Sequence, residues 1–184
     1  FEFDKGRYPD PARYKQWTDS MGLTVSLDLN RNICNESWGW QSGYNIPNLT
    51  SKTRDANAAP DFTNPEVRQW VWDLFWREAL DTALKYPGDA LWLDETDDLQ
   101  RIDPNTVLHD GRRWAEIRNM YPFLYAKAVG QQGWDEAFGK KKRPFIWMRS
   151  MTAGAQRYVT HWSGDIKPTL YEMQLQIRGM LGSS

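Results

Sequence analysis

Two acidic residues at the ends of apolar runs are the sequence's main candidates for chemistry. Leu91-Trp92-Leu93-Asp94 has the pattern of a buried strand that ends in a carboxylate, with Glu95, Asp97 and Asp98 close behind. Carboxylates crowded in this way need a cation or hydroxyl donors beside them to stay ionised. His161-Trp162-Ser163-Gly164-Asp165 supplies a second carboxylate, held after a glycine on a tight turn. The neighbouring Trp can lower local polarity there, a setting that suits a general acid. Taken singly, Asp94 could cap the segment that follows it, and Asp165 could cap a helix opening at Pro168. As a pair they have a more specific use. At the ends of strands two places apart in a barrel, they would share an inward-facing layer. Carboxyl groups roughly 5–5.5 Å apart across a sugar suit double displacement with retention. Asp94 would attack the anomeric carbon, while Asp165 protonates the leaving oxygen and later activates water.

The elements that must position this pair can be read from spacing. Asp10-Pro11 starts a helix that runs to about Met21 and stops at Gly22. Leu23 to Leu29 is a short β-rich run, and Arg31 to Ala59 is a polar, irregular loop. Asn64-Pro65 opens a helix in which Val67, Trp70, Val71, Leu74 and Phe75 form one apolar stripe; it ends near Tyr86-Pro87-Gly88. Asp89 to Asp94 is the next strand. Helical stretches then surround Trp114 and Leu124 to Val129, with a break at Pro122. Phe145 to Met148 and Tyr158 to Trp162 are the third and fourth strands, and Pro168 starts a last helix. That helix has Leu170, Met173, Ile177 and Met180 as its expected buried stripe. Strands alternating with helices imply parallel β-α units. No glycine-rich phosphate loop follows a strand, and Asn30, Asp94, Arg149 and Asp165 sit at strand ends. Both points favour an α/β fold of the (β/α)8 TIM-barrel type, with about four β-α units present, over a doubly wound sheet. A whole barrel needs about 250 residues. Residues 1–184 are therefore expected to be the central portion of a longer chain.

Composition removes several function classes. The 184 residues carry a formal net charge of −1, which gives no basic footprint for nucleic acid. No apolar run approaches the roughly 20 residues of a membrane span, and Phe1-Glu2-Phe3-Asp4 does not read as a signal peptide. Cys34 is the only cysteine, so an internal disulfide and a Cys-based zinc site are ruled out. His109 and His161 are too few for a His-rich metal site. Asn35-Glu36-Ser37 and Asn48-Leu49-Thr50 match the glycosylation sequon, a short and common pattern. Localisation stays open, with secreted, periplasmic or other extracytoplasmic sites compatible. The 11 Trp residues are unusual, since indole faces suit both cores and the apolar faces of sugar rings. Trp38 and Trp40 could stack on sugar or pack within their loop, whereas Trp72 and Trp76 read as packing.

These motifs, in order, resemble glycoside hydrolase family 31, the α-glucosidase and α-xylosidase family. Phe3-Asp4 with Tyr8-Pro9-Asp10-Pro11 is similar to its entry to a barrel helix. Pro60-Asp61-Phe62-Thr63-Asn64-Pro65 with Trp70 is similar to its helix-opening signature. Leu91-Trp92-Leu93-Asp94 resembles its nucleophile strand. Arg149-Ser150, Gln156-Arg157-Tyr158 and Trp162-Ser163-Gly164-Asp165 resemble the run into its acid/base segment. The resemblance implies Asp94 as nucleophile, Asp165 as acid/base, and Arg149, Trp162, Asp28 and Trp92 as substrate-binding residues. It further implies a retaining α-glycosidase acting on an oligosaccharide or α-glycoside, with no metal or organic cofactor. The remaining part of the barrel would lie in the same or a companion chain. Arg149 fits physically, because a guanidinium can hold a carboxylate ionised and donate to hydroxyls; a purely structural ion pair is the alternative. Thr96 and Asp97 stand where the family has Asn and Glu, and Leu29 follows Asp28 where it has Pro. An α-transglycosylase and a non-catalytic sugar-binding or scaffold homologue are the alternative functions.

Overall fold

The computed structural model describes residues 3–28, 60–75, 89–94, 96, 102–139 and 143–183. Asn30, Cys34, both sequons, Trp38, Trp40, Trp76, the helix end at Tyr86-Pro87-Gly88, and Glu95, Asp97 and Asp98 lie outside the described residues.

Helix α1 (Pro11–Ser20) begins as its sequence requires. The Asp10 carboxylate accepts from the Arg13 backbone N–H at 3.0 Å, and Pro11 fills a position where no N–H is needed. The chain leaves the helix through Gly22, at φ +68°. Strand β1 (Ser26–Asp28) follows, shorter than the apolar run predicts because Leu23 is exposed and outside the ladder. Helix α2 (Pro65–Phe75) opens with Asn64 Oδ1 accepting from the Glu66 N–H at 2.9 Å. Its Val67 and Val71 are buried, as the stripe predicts, and Trp72 is buried too. The residues ahead of it are fixed by Asp61. That carboxylate is buried, accepting from the Thr63 backbone N–H at 3.0 Å and from the His109 N–H at 2.8 Å.

Strand β2 (Ala90–Leu93) leads into a long helical passage. It comprises α3 (Trp114–Ile117), a 3₁₀ turn (Arg118–Met120), α4 (Tyr121–Lys127), a π stretch (Ala128–Trp134) and α5 (Asp135–Phe138). Pro122 marks no break, because it sits in the first turn of α4, where its missing N–H costs nothing; the irregularity is the 3₁₀ turn before it. Gly133 has a packing reason: a Cβ there would overlap the Trp72 ring of α2.

Strand β3 (Ile146–Met148) and β4 (Thr160–His161) complete the sheet. The fourth strand is shorter than expected, since Tyr158 closes a 3₁₀ turn (Ala155–Arg157) and cannot join the ladder. All neighbouring strands pair in parallel, in the order β1-β2-β3-β4. Sequential parallel order is that of a barrel wall.

Alternate residues give the sheet two unlike faces. Leu91, Leu93, Ile146 and Met148 are buried in one core with Val67, Val71, Trp72, Tyr121, Tyr125 and Trp134 of the helices. The other face carries Asp28, which is exposed, and Trp92 and Trp147, which are partly buried. Helix α6 (Leu170–Ser183) begins after Thr169, whose hydroxyl accepts from the Glu172 N–H at 3.2 Å. Thr169, not Asp165, is its cap. Its predicted buried stripe is corrected: Leu170, Met173, Ile177 and Met180 are all exposed. The described residues provide no apolar surface for that stripe to bury against. No helix among the described residues is long and apolar enough to cross a membrane.

One buried ion pair anchors the foot of β2. Lys15 of α1 is 2% exposed and meets Asp89, 4% exposed, at 2.9 Å, and also touches Asp19. Asp89 Oδ1 accepts from the Val25 N–H at 3.0 Å, tying α1, β1 and β2 together. Burial alone would pull the Lys15 ammonium down, but Asp19 and Asp89 outweigh it and hold it above the ordinary 10.5. Because the folded value lies above the unfolded one, this stabilisation is complete below about pH 10.5 and fades as pH rises through the folded value. Asp89→Ala should destabilise the protein by about 1–3 kcal/mol, read from the urea midpoint at pH 7, because a buried ammonium keeps only Asp19 as partner and the Val25 N–H loses its acceptor. Lys15→Met combined with Asp89→Leu should recover most of that loss.

Candidate active site

The geometry of the site follows from strand register. Asp28 pairs with Trp92, Trp92 with Trp147, and Trp147 with Thr160. Two residues further along, Asp94 follows β2, Arg149 follows β3 and Trp162 follows β4, all on the same side of the sheet. Asp94 and Arg149 accordingly meet: Arg149 Nη1 lies 3.5 Å from Asp94 Oδ1. The two side chains are 22% and 20% exposed, so solvent screens this pair less than a surface one. The ion pair expected of Arg149 is thus present, and its partner is the candidate nucleophile itself.

Below this pair lies an aromatic wall. Trp92 and Trp147 stack with centroids 4.9 Å apart. Trp162 closes on both, at 5.1 Å from Trp147 and 5.6 Å from Trp92. Trp147 Nε1 donates to Ser26 Oγ at 3.0 Å, and the Trp162 backbone N–H donates to the Met148 carbonyl at 3.3 Å. The Trp92 indole N–H is buried without an acceptor among the described residues. Trp147 escaped the sequence reading, which treated Phe145 to Met148 as an apolar strand only. The signal was there: Trp147 precedes Arg149 by two residues and so shares its face.

Asp165 is exposed, on the turn beyond β4, with no ion pair among the described residues; the low-polarity setting expected beside Trp162 is not found among them, because the turn carries the carboxylate into solvent. Its link to the rest of the site runs through Gly164. At φ +80°, this glycine lies so close to Arg149 that a Cβ would stand 2.9 Å from Arg149 Cδ. The turn before Asp165 thus rests on the stem of the residue that pairs with Asp94. Asp28, exposed at the end of β1, belongs to the same open face one layer lower.

Thr96 is fully buried, and its hydroxyl has no partner among the described residues. It borders a cleft of about 630 Å³ between the segments that follow β2 and β3, whose walls include Trp114, Arg118, Asn119, Ser150 and Thr152. Neither candidate acid is among the described residues of that cleft, so it flanks the site and does not contain it. Among the described residues, no cluster of His, Cys, Asp and Glu has the grouping a metal ion needs.

Known proteins share this fold. The family model for the TIM-barrel domain of glycosyl hydrolases family 31 matches residues 1–184. An alpha-xylosidase of Emericella nidulans is 29% identical over 98% of this chain and 23% of its own length. A neutral alpha-glucosidase C of Mus musculus is 30% identical over 98% of this chain and 22% of its own. Among solved structures, a GH31 alpha-xylosidase from a soil metagenome, complexed with xylose, superposes with a TM-score of 0.76. It is 25% identical, over 96% of this chain and 27% of that one. The chain thus spans less than a third of the length of these relatives.

The Trp wall generates a stability prediction. Trp147→Ala removes two ring contacts and the bond to Ser26, and should cost roughly 1–3 kcal/mol in urea denaturation. Trp147→Phe should retain most of the stacking and lose less than half as much.

Proposed function

Because the chain belongs to glycosyl hydrolases family 31, we propose that residues 1–184 are the central part of a catalytic barrel that removes terminal α-linked sugars with retained configuration. Asp94 is the nucleophile and Asp165 the acid/base. The reading rests on one observation above the others. Asp94 follows β2 in an ion pair with Arg149, and the turn that carries Asp165 packs on that same Arg149 side chain.

In the first step an Asp94 oxygen bonds to the anomeric carbon as the glycosidic C–O bond breaks. Asp165, exposed and outside any ion pair among the described residues, gives its proton to the leaving oxygen. In the second step Asp165 takes a proton from water, the hydroxide attacks the anomeric carbon, and the Asp94 carboxylate leaves. Arg149 holds the negative charge of Asp94 in place between turnovers and offers N–H donors to sugar hydroxyls. Trp92, Trp147 and Trp162 supply flat apolar surface for the C–H face of a sugar ring, while the unpaired Trp92 N–H can donate to a hydroxyl. Asp28, on the same face, is the further hydroxyl partner. The rest of the pocket comes from the remaining barrel, in the same or a companion chain. The substrate is an oligosaccharide or α-glycoside; the names of the relatives, alpha-xylosidase and neutral alpha-glucosidase, favour α-linked xylose or glucose.

The test is stereochemical. With the full-length protein and an aryl α-glycoside, proton NMR should detect the α-anomer first, with β-anomer growing in by mutarotation; β-anomer as first product overturns retention. Asp165→Ala should lose about 10²–10⁴-fold on substrates with poor leaving groups, while activated aryl glycosides lose far less and azide restores rate. An equal loss on both substrate types removes Asp165 from the acid role.

A further inference from the structure

We infer that Gly164 is a positioning residue for the reaction: its missing side chain lets the acid/base turn seat against Arg149 and so sets where the guanidinium meets Asp94. The inference rests on the glycosidase reading above and goes beyond it, because it assigns a role to a residue that has no functional group.

Three observations carry it. Gly164 has φ +80°, a conformation costly for residues with a Cβ. A Cβ built on it would lie 2.9 Å from Arg149 Cδ and 3.4 Å from Arg149 Cγ, so the obstacle is the arginine's own stem. Arg149 in turn reaches Asp94 at 3.5 Å, a contact already longer than a close charge-assisted hydrogen bond, so a further shift would part the pair. A stem displaced by a methyl group swings its guanidinium further, since the displacement acts near the middle of a long side chain. The entry to the turn is held independently. The Trp162 N–H is bonded to the Met148 carbonyl, and Trp162 is packed on Trp92 and Trp147. With the turn anchored at Trp162, a methyl group at Gly164 is brought against the Arg149 side chain.

The test uses the full-length protein and an aryl α-glycoside. Gly164→Ala should lower kcat on the order of 10²-fold, the scale of a misplaced reacting group, with KM changed by less than about threefold. Gly164→Asn separates the two possible causes, because Asn tolerates positive φ yet still carries a Cβ. A loss for Asn as large as for Ala places the cause in the approach to Arg149. Activity near wild type for Asn assigns the loss to backbone strain and overturns the inference. Asn also serves should Gly164→Ala fold poorly, with thermal melts run on every variant. The decisive comparison is a double-mutant cycle with Arg149→Gln. Gly164→Ala should add less than about threefold to the defect of Arg149→Gln. An undiminished effect in that background shows that Gly164 does not act through Arg149. A wild-type protein without α-glycosidase activity overturns the underlying reading and this inference with it; an active wild type unaffected by Gly164→Ala overturns this inference alone.

Discussion

The parallel register of β2 against β3 is the constraint on which the site depends. Leu91 opposite Ile146, and Leu93 opposite Met148, lock the helix-facing side of the sheet into the core. That lock fixes the opposite side as well, since side chains alternate along a strand. Trp92 must then stack on Trp147, and Asp94 must emerge beside Arg149. A slip of β2 by one residue would send Trp92 into the helices and Leu91 and Leu93 into the open. The catalytic geometry is thus held by hydrophobic burial on the far side of the sheet. The buried Lys15–Asp89 pair adds a polar lock at the foot of the same strand.

Above the sheet the chemistry is electrostatic. A carboxylate that must attack carbon needs its charge held without being consumed by a tight, fully buried bond. Arg149 at 3.5 Å, with both side chains about a fifth exposed, meets that condition. In the proposed mechanism Asp165 has the opposite task, exchanging a proton twice per cycle, and its exposed turn leaves it open to water and leaving group. Two identical side chains thus stand in different surroundings.

Much of this was legible in the sequence. The Asp10-Pro11 and Asn64-Pro65 signals gave helix starts within a residue, and the apolar runs located all four strands. The misreadings have physical causes. Pro122 reads as a break, yet proline is at home in a first helical turn, so α4 begins there. Tyr158 looks like strand but is used to close a 3₁₀ turn. The stripe Leu170, Met173, Ile177 and Met180 has helical spacing and forms a helix, but periodicity cannot say whether a partner surface is present. Asp94, Arg149 and Trp162 could be named from their motifs, and Trp147 from its two-residue spacing to Arg149, but Gly164 could not. The contacts of the last two are with neighbours distant in sequence, Trp92 and Ser26 for one and the Arg149 stem for the other.

The central claim is that Asp94 forms a covalent bond with the sugar. Incubating the full-length protein with a 5-fluoro-α-glycosyl fluoride, digesting it and mapping the adduct by mass spectrometry tests this directly. The mass of one fluoroglycosyl group should appear on the peptide containing Leu91-Trp92-Leu93-Asp94, with fragmentation placing it on Asp94. An adduct on a different carboxylate, or steady turnover of the reagent with no adduct formed, would contradict it.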